Sequence, residues 1–336
     1  MKIDAGIPTN DARESGKATK ILEEAGYDGA FTAETSHDPF LPLVTAAIET
    51  EKIELVTAIA VAFARNPMIL ANLGYDLQKL SKGRFILGLG SQIRPHITKR
   101  FSMPWSNPAA RMKELIQAIR AIWDCWQNET NLNFKGDFYT HSLMTPFFNP
   151  GPNPFGIPKI YVAAVGPLMT KSVAESADGL LVHPFHTPKY LYETMLPIVK
   201  EGLSSTGKDR AEFDFSISVM TATGLSEETY NKAIQACKNG IAFYASTPAY
   251  KGVLEAHGYG DLQGKLNLLS KEGKWGEMTS LIDDELLNTV AVVAETPEDV
   301  AKEIKKRYSD HGDRITPAFY SGEEGLASRV INALRD

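Results

Sequence analysis

The sequence predicts an α/β chain whose strands close into an eight-stranded parallel barrel, a (β/α)8 TIM barrel, with insertions after strand 4 and in the C-terminal third. Two observations carry this. Short apolar, β-branched runs alternate with helical patterns along the 336 residues. The runs are apolar throughout instead of alternating in and out, as strands covered by helices on both faces must be.

The first four runs are Ile3–Ile7, Gly29–Ala33, Ile53–Val61 and Phe85–Leu89, separated by helical segments such as Gly16–Ala25 and Pro67–Lys79. After a gap the beat resumes with Lys159–Val165, Gly179–Val182, Phe213–Met220 and Ile315–Phe319. Eight strands are the number that closes such a barrel. The gap, about 91–158, holds a helix whose Met112, Leu115, Ile116, Ile119, Ile122, Trp123 and Trp126 follow the 3.6-residue period, then a hairpin through Phe134–Tyr139. Pro146–Pro158, dense in Pro, Gly and Asn, reads as an ordered surface loop or lid. A second insertion, about 246–289, is helical and mixed in charge. No linker or internal repeat divides the chain, so residues 1–336 are expected to form one domain.

Composition excludes several classes. With 35 Lys and Arg against 41 Asp and Glu the net charge is −6, which offers no global field for phosphate backbones, so nucleic acid is not an expected partner. The longest apolar stretch, Leu55–Ala64, is about half of the ~20 residues that span a membrane. Asp4 and Thr9-Asn10-Asp11 interrupt any secretory apolar run, so a soluble, cytoplasmic protein is expected. Cys125 and Cys237 lie in no paired ligand spacing and are expected as core thiols.

Three motifs fail on their chemistry. Gly202–Lys208 imitates a phosphate loop, but Asp209 stands where a Ser or Thr must reach magnesium. Gly88-Leu89-Gly90 follows a strand, yet Ile93 occupies the third glycine position of a dinucleotide fingerprint. His183-Pro-Phe-His186 has no carboxylate or cysteine pair beside it, so hydrogen-bonded or solvent-facing histidines are the better reading and no metal is expected.

A barrel places its active site at the C-terminal ends of the strands. That rule selects Glu34-Thr35-Ser36-His37-Asp38, Ala58–Arg65, Ser91-Gln92 to His96, and Val165-Gly166. Around these residues, the run Leu55–Pro67, followed by Leu80–Gly90, resembles the luciferase-like monooxygenase superfamily of flavin and deazaflavin enzymes. The resemblance continues in order through Glu23–Gly29, Ala109–Trp123, Phe134–Tyr139, Ala163–Pro167 and Ala177–Gly179. Ser91-Gln92 with His96, Phe101–Trp105 and Ala242–Tyr250 further resemble the subfamily described as dependent on coenzyme F420.

The resemblance implies a barrel mouth that takes a deazaflavin or isoalloxazine ring. It implies a non-prolyl cis peptide joining Ala58 to Ile59 behind that ring, with Thr35, Gly90 and Ser91 at its edges. It also implies a phosphate site at Val165, Gly166, Leu168 and Met169, where a glycine turn opens a helix and Pro167 suits its first turn. Relatives of the deazaflavin branch use a histidine and a glutamate for acid–base work, but Thr35 and Ile93 stand at the matching positions. The replacement candidates are Glu34, His37, Gln92 and His96, with His37 placed to titrate near neutral pH. Arg65 would brace the mouth through a carboxylate or touch ligand, Trp105 would wall the pocket or anchor the insertion, and Arg94, Lys99 and Arg100 could receive an acidic cofactor tail.

The expected function is hydride transfer between coenzyme F420 and a small organic substrate. The alternatives are an FMN-dependent monooxygenase using externally reduced flavin, a flavin-binding protein without catalysis, and a non-redox barrel enzyme. A homodimer through the helices covering the first strands is expected.

Overall fold

The computed structural model describes residues 1–320, 323 and 325–336. Eight parallel strands form the barrel: β1 (Lys2–Gly6), β2 (Gly29–Thr32), β3 (Glu54–Thr57), β4 (Phe85–Gly90), β5 (Lys159–Ala164), β6 (Gly179–Val182), β7 (Asp214–Ala222) and β8 (Arg314–Phe319). Each pairs in parallel with the next, and β8 pairs with β1 to close the ring. The expected runs and the observed strands differ by a residue or two at their ends, except at the third. There Ile53–Val61 is interrupted after Thr57, and Ala60–Val61 forms a separate short strand pairing with Leu89-Gly90.

The covering helices follow from apolar stripes and local caps. They are α1 (Ala12–Glu24), α2 (Leu41–Glu49), α3 (Pro67–Leu80), α4 (Pro108–Asn128), α5 (Pro167–Ser176) and α6 (Leu196–Thr206). Asp11 caps α1 through the Arg13 amide, and Asn66 caps α3 through the Ile69 amide with Pro67 in its first turn. α4 buries Met112, Leu115, Ile116, Ile119, Ile122, Trp123 and Trp126 between α3 and α5, so it is the barrel's own fourth helix, and the inserted segments are those on either side of it.

The Phe134–Tyr139 run forms the expected hairpin, with Phe134 opposite His141. The Pro146–Pro158 loop is no lid. Asn153 is buried against α3, its Nδ2 donating to the Tyr75 carbonyl at 3.1 Å, and Gln78 binds the Phe155 carbonyl. Phe155 also sits over Gly83, in the turn that leads into β4, so the segment is strapped along α3 toward the barrel end opposite the mouth. The second insertion begins earlier than expected: α7 (Glu227–Ala245) packs against β7 and against α8 (Gly260–Lys271), α9 (Trp275–Ser280) and α10 (Asp284–Val290). α11 (Pro297–Tyr308) and α12 (Leu326–Arg335) complete the ring.

The barrel lumen is filled by Val56, Ile86, Tyr161 and Leu181 with Phe31 against them. Beneath them Arg314 forms a bidentate pair with Asp4 (2.7 and 2.8 Å) and also binds Glu54, plugging the end opposite the mouth. Gly29 leaves room for that pair, since a Cβ there would lie 2.3 Å from both partners. Cys125 and Cys237 are buried free thiols, and burial pushes Cys237 up to about 12. The glycines of the phosphate-loop imitation belong to the end of α6, where Gly207 adopts a left-handed conformation.

Candidate functional site

At the β2 and β3 exits, Thr35, Ser36 and His37 are exposed while Glu34 turns inward. Its carboxylate accepts from the Val61 amide at 2.7 Å and from Arg65 Nη1 at 2.6 Å, and Arg65 Nη2 reaches Asp38 at 2.9 Å. The Glu34 amide donates to the Ile59 carbonyl (3.0 Å) and the Ala58 amide to the Thr32 carbonyl (2.7 Å), stitching the two exits together. The peptide bond between Ala58 and Ile59 is cis. β4 supports this bulge through two glycines: a Cβ on Gly88 would lie 1.7 Å from the Thr57 carbonyl oxygen, and one on Gly90 2.8 Å from Ile59. The Gly-Leu-Gly sequence therefore serves a close strand approach and no dinucleotide.

Glu34, one of the acid–base candidates, is held on both sides by these donors. With its side chain 6% exposed and held by a cation and an amide, Glu34 braces the β3 exit, and Arg65 is the brace's other half. His37 and His96 are exposed with no hydrogen bond to one another or to Glu34, so the four acid–base candidates form no relay among the described residues.

At the β4 exit Ser91 Oγ donates to the Gln92 carbonyl, and Gln92 takes a left-handed backbone (φ 55°), unusual for a residue with a Cβ. Arg94, Lys99 and Arg100 are exposed; Arg100 binds the Thr35 carbonyl and lies over the Phe101 ring, tying this turn to the β2 exit. Trp105 packs edge-on against buried Phe63 at 5.9 Å, the anchoring role. Phe147 and Phe148 are 89% and 71% exposed, their rings edge-to-face at 5.1 Å.

At the β5 exit Tyr190 donates its hydroxyl to the Val165 carbonyl at 3.0 Å. Gly166 is the N-cap of α5, with φ −86°, no side-chain cap, and no heavy atom within 4 Å of where a Cβ would stand. The first-turn amides of Leu168 and Met169 have no intrahelical partner, and Leu168 is 78% exposed. Glycine is an ordinary helix N-cap, and at this one the free amides of the first turn, at the positive end of the helix with open space above them, are chemically able to hold a phosphate. A flavin or deazaflavin phosphate therefore fits these residues.

At the β6 exit stand the two histidines that the sequence reading expected to be hydrogen-bonded or solvent-facing and did not count among the site residues. His183 directly follows β6, with its ring 4.7 Å from both Tyr244 and Tyr250. Phe185 N–H donates to its Nδ1 at 3.1 Å. His186 is fully buried, its Nδ1 on the His183 carbonyl at 2.9 Å. Burial, reinforced by His186, pulls His183 down to about 3, and burial pulls His186 down to about 4. Among the described residues no cluster of His, Cys, Asp and Glu has metal-holding geometry. Applying the strand-exit rule to β6 as to β2–β5 would have found His183.

A closed ring of eight parallel strands, with a glycine-backed bulge and a capped helix start at its carboxyl-end face, defines an α/β-barrel protein of the kind that builds its site from the loops after the strands. The chain belongs to the luciferase-like monooxygenase family, whose profile matches residues 2–314, a family of flavin- or F420-dependent oxidoreductases. It is 50% identical over 335 residues to an uncharacterized protein of Mycobacterium tuberculosis (strain H37Rv), covering 100% of this chain and 98% of that one. It is 27% identical over 297 residues to the 5,10-methylenetetrahydromethanopterin reductase of Archaeoglobus fulgidus, covering 85% and 83%. The coenzyme F420-dependent tetrahydromethanopterin reductase structure from Methanopyrus kandleri superposes with a TM-score of 0.79 over 99% of this chain and 97% of that one, at 20% identity. Among the described residues no helix is long and apolar enough to cross a membrane.

Proposed function

We propose that the chain is an oxidoreductase that holds coenzyme F420 in the barrel mouth and passes hydride to or from a small organic substrate. The observation that carries this is the open cradle at Gly166. The backbone amides of Leu168 and Met169 would hold the cofactor phosphate, Ala58, Ile59 and Gly90 would floor the ring, and Thr35, Ser91 and Gln92 offer polar atoms at its edge. When bound, the deazaflavin supplies a two-electron carrier whose reactive ring position is carbon, which favours hydride transfer over oxygen activation. The reductases named above, one of them named as F420-dependent, support this choice.

FMN is the second reading, favoured by the family's monooxygenase members and by a mouth whose features suit either ring. Titrating the apo chain with F420 and with FMN, by cofactor fluorescence and absorbance, separates the two. Saturable F420 binding is expected, and Gly166→Leu is expected to abolish it with an unchanged melting temperature, because the cradle has room for the side chain when empty. Tight FMN binding without F420 binding overturns the order, and binding of neither overturns the reading.

The partner we propose is a second copy of this chain. Leu41, Val44 and Ile48 form one exposed stripe of α2, and Ile69 and Leu80 are exposed at the two ends of neighbouring α3. An apolar stripe on α2 over the first strands suits a self-complementary contact.

A further inference from the structure

We propose that His183, Tyr244 and Tyr250 form the substrate-side wall of the mouth, and that His183 Nε2–H donates a hydrogen bond to an acceptor atom of a planar, uncharged organic substrate. The proposal rests on the redox reading above and names the substrate class of that same mouth. Three observations converge on it.

The first is position. β5 and β6 run in register, Ala164 opposite Val182, so the next step along each strand sets His183 beside Val165 and the Gly166 cradle.

The second is the state of the ring. Because the Phe185 amide donates to Nδ1, that nitrogen keeps its lone pair, and the proton of the neutral imidazole sits on Nε2. Nε2 has no hydrogen-bond partner among the described residues, yet it is not among the polar atoms sealed from solvent, whereas Nε2 of neighbouring His186 is. A satisfied core histidine would have closed both ends. This one is fixed at the back and open at the front.

The third is the company it keeps. Tyr250 lies tilted 31° to the His183 ring, Tyr244 meets it at 87°, and Phe185 packs behind both tyrosines. Among the described residues the groups that face His183 are His186, Tyr244 and Tyr250, with no carboxylate, lysine or arginine. Such a wall offers ring faces and one donor, which suits a flat neutral molecule carrying an oxygen or nitrogen acceptor. Neutral His183 acts by hydrogen bonding and does not titrate between pH 5 and 8, because burial and His186 hold it down at about 3.

The test uses two probes of one outline on the full chain, with and without bound cofactor. Coumarin is a planar, uncharged lactone with a carbonyl acceptor, and naphthalene has two fused rings and no acceptor. His183→Asn retains an oxygen to accept the Phe185 amide but falls short of the Nε2 position. It is expected to weaken coumarin about tenfold, to leave naphthalene unchanged and to leave cofactor affinity unchanged. Tyr250→Leu is expected to weaken both probes, and wild-type coumarin affinity is expected to stay flat from pH 5 to 8. A merely structural histidine would move both probes together or neither. Equal coumarin binding by wild type and His183→Asn, no binding of either probe by the cofactor-loaded chain, or a pH step between 5 and 8 overturns the proposal. If no cofactor binds but the split between the probes persists, the redox reading falls and the wall stands.

Discussion

Arg65→Met tests the brace behind the mouth. Glu34 is 6% exposed and Arg65 15%, so their 2.6 Å contact is a buried pair, whereas Asp38 at 40% exposure adds a solvated contact worth about 0–1 kcal/mol. Methionine can still pack on Phe40, whose ring lies 5.4 Å from the guanidinium, so the change removes charge more than volume. It leaves the Glu34 carboxylate buried with the Val61 amide as its remaining donor. Breaking one side of a buried pair costs about 3–5 kcal/mol, a large part of the roughly 5–15 kcal/mol that holds a domain folded. Glu34→Gln in the same chain removes the stranded charge and should recover about half of that loss. Urea unfolding of wild type, both single variants and the double variant closes the cycle. A loss under about 1 kcal/mol in Arg65→Met, or an equal loss whether residue 34 is Glu or Gln, would refute the bracing role.

Two further outcomes follow from the surface. Burial would raise the Glu23 carboxyl, but the amides of Lys52 (2.6 Å), Ile53 (3.0 Å) and Glu51 (2.9 Å), together with Lys20, pull it from 4.5 down to about 2. A depressed carboxyl contributes stability above its unfolded value and loses it as pH falls through the folded one, so Glu23→Gln should cost about 1–2 kcal/mol at pH 7 after allowance for solvent screening. That difference from wild type should shrink between pH 4.5 and 2, and its persistence at pH 2 in denaturant titrations would count against the linkage. Ile48→Asp, on the exposed stripe of α2, should convert a dimer to a monomer in light scattering with little change in melting temperature; a wild-type chain already monomeric removes the dimer proposal.

Strand order was legible because parallel strands buried on both faces leave continuous apolar runs, and Phe85–Gly90 is buried along its whole length. The interruption of the third run was legible only through the family resemblance, which implied the cis peptide found between Ala58 and Ile59; hydropathy alone hides it, since both residues are as apolar as their neighbours and the bulge depends on the absence of side chains at Gly88 and Gly90, a strand away. Of the two readings of residues 146–158, ordered surface loop or lid, the first holds, and the sequence could not choose between them. The segment's Pro and Gly content marks a loop but not where it lies; that is set by Asn153 and its contacts with Tyr75, far away in sequence.

For the site, single-residue chemistry pointed to titratable groups, and packing decided which of them are free to act. Glu34 and His37 are three residues apart, yet one is locked to Arg65 and the other stands in solvent. Conversely, His183 and His186 looked like an unproductive pair, because sequence spacing cannot reveal that the Phe185 amide claims one nitrogen of His183 while the other keeps solvent access. The aromatic partners that complete the wall come from α7 and the turn after it, more than 60 residues further along the chain. Their meeting depends on how the C-terminal insertion docks. A mouth assembled this way joins a barrel half of cradle, bulge and brace to an inserted aromatic half. Exchanging the insertion between related barrels should therefore change what is bound over the ring while leaving the cradle for the ring's phosphate in place.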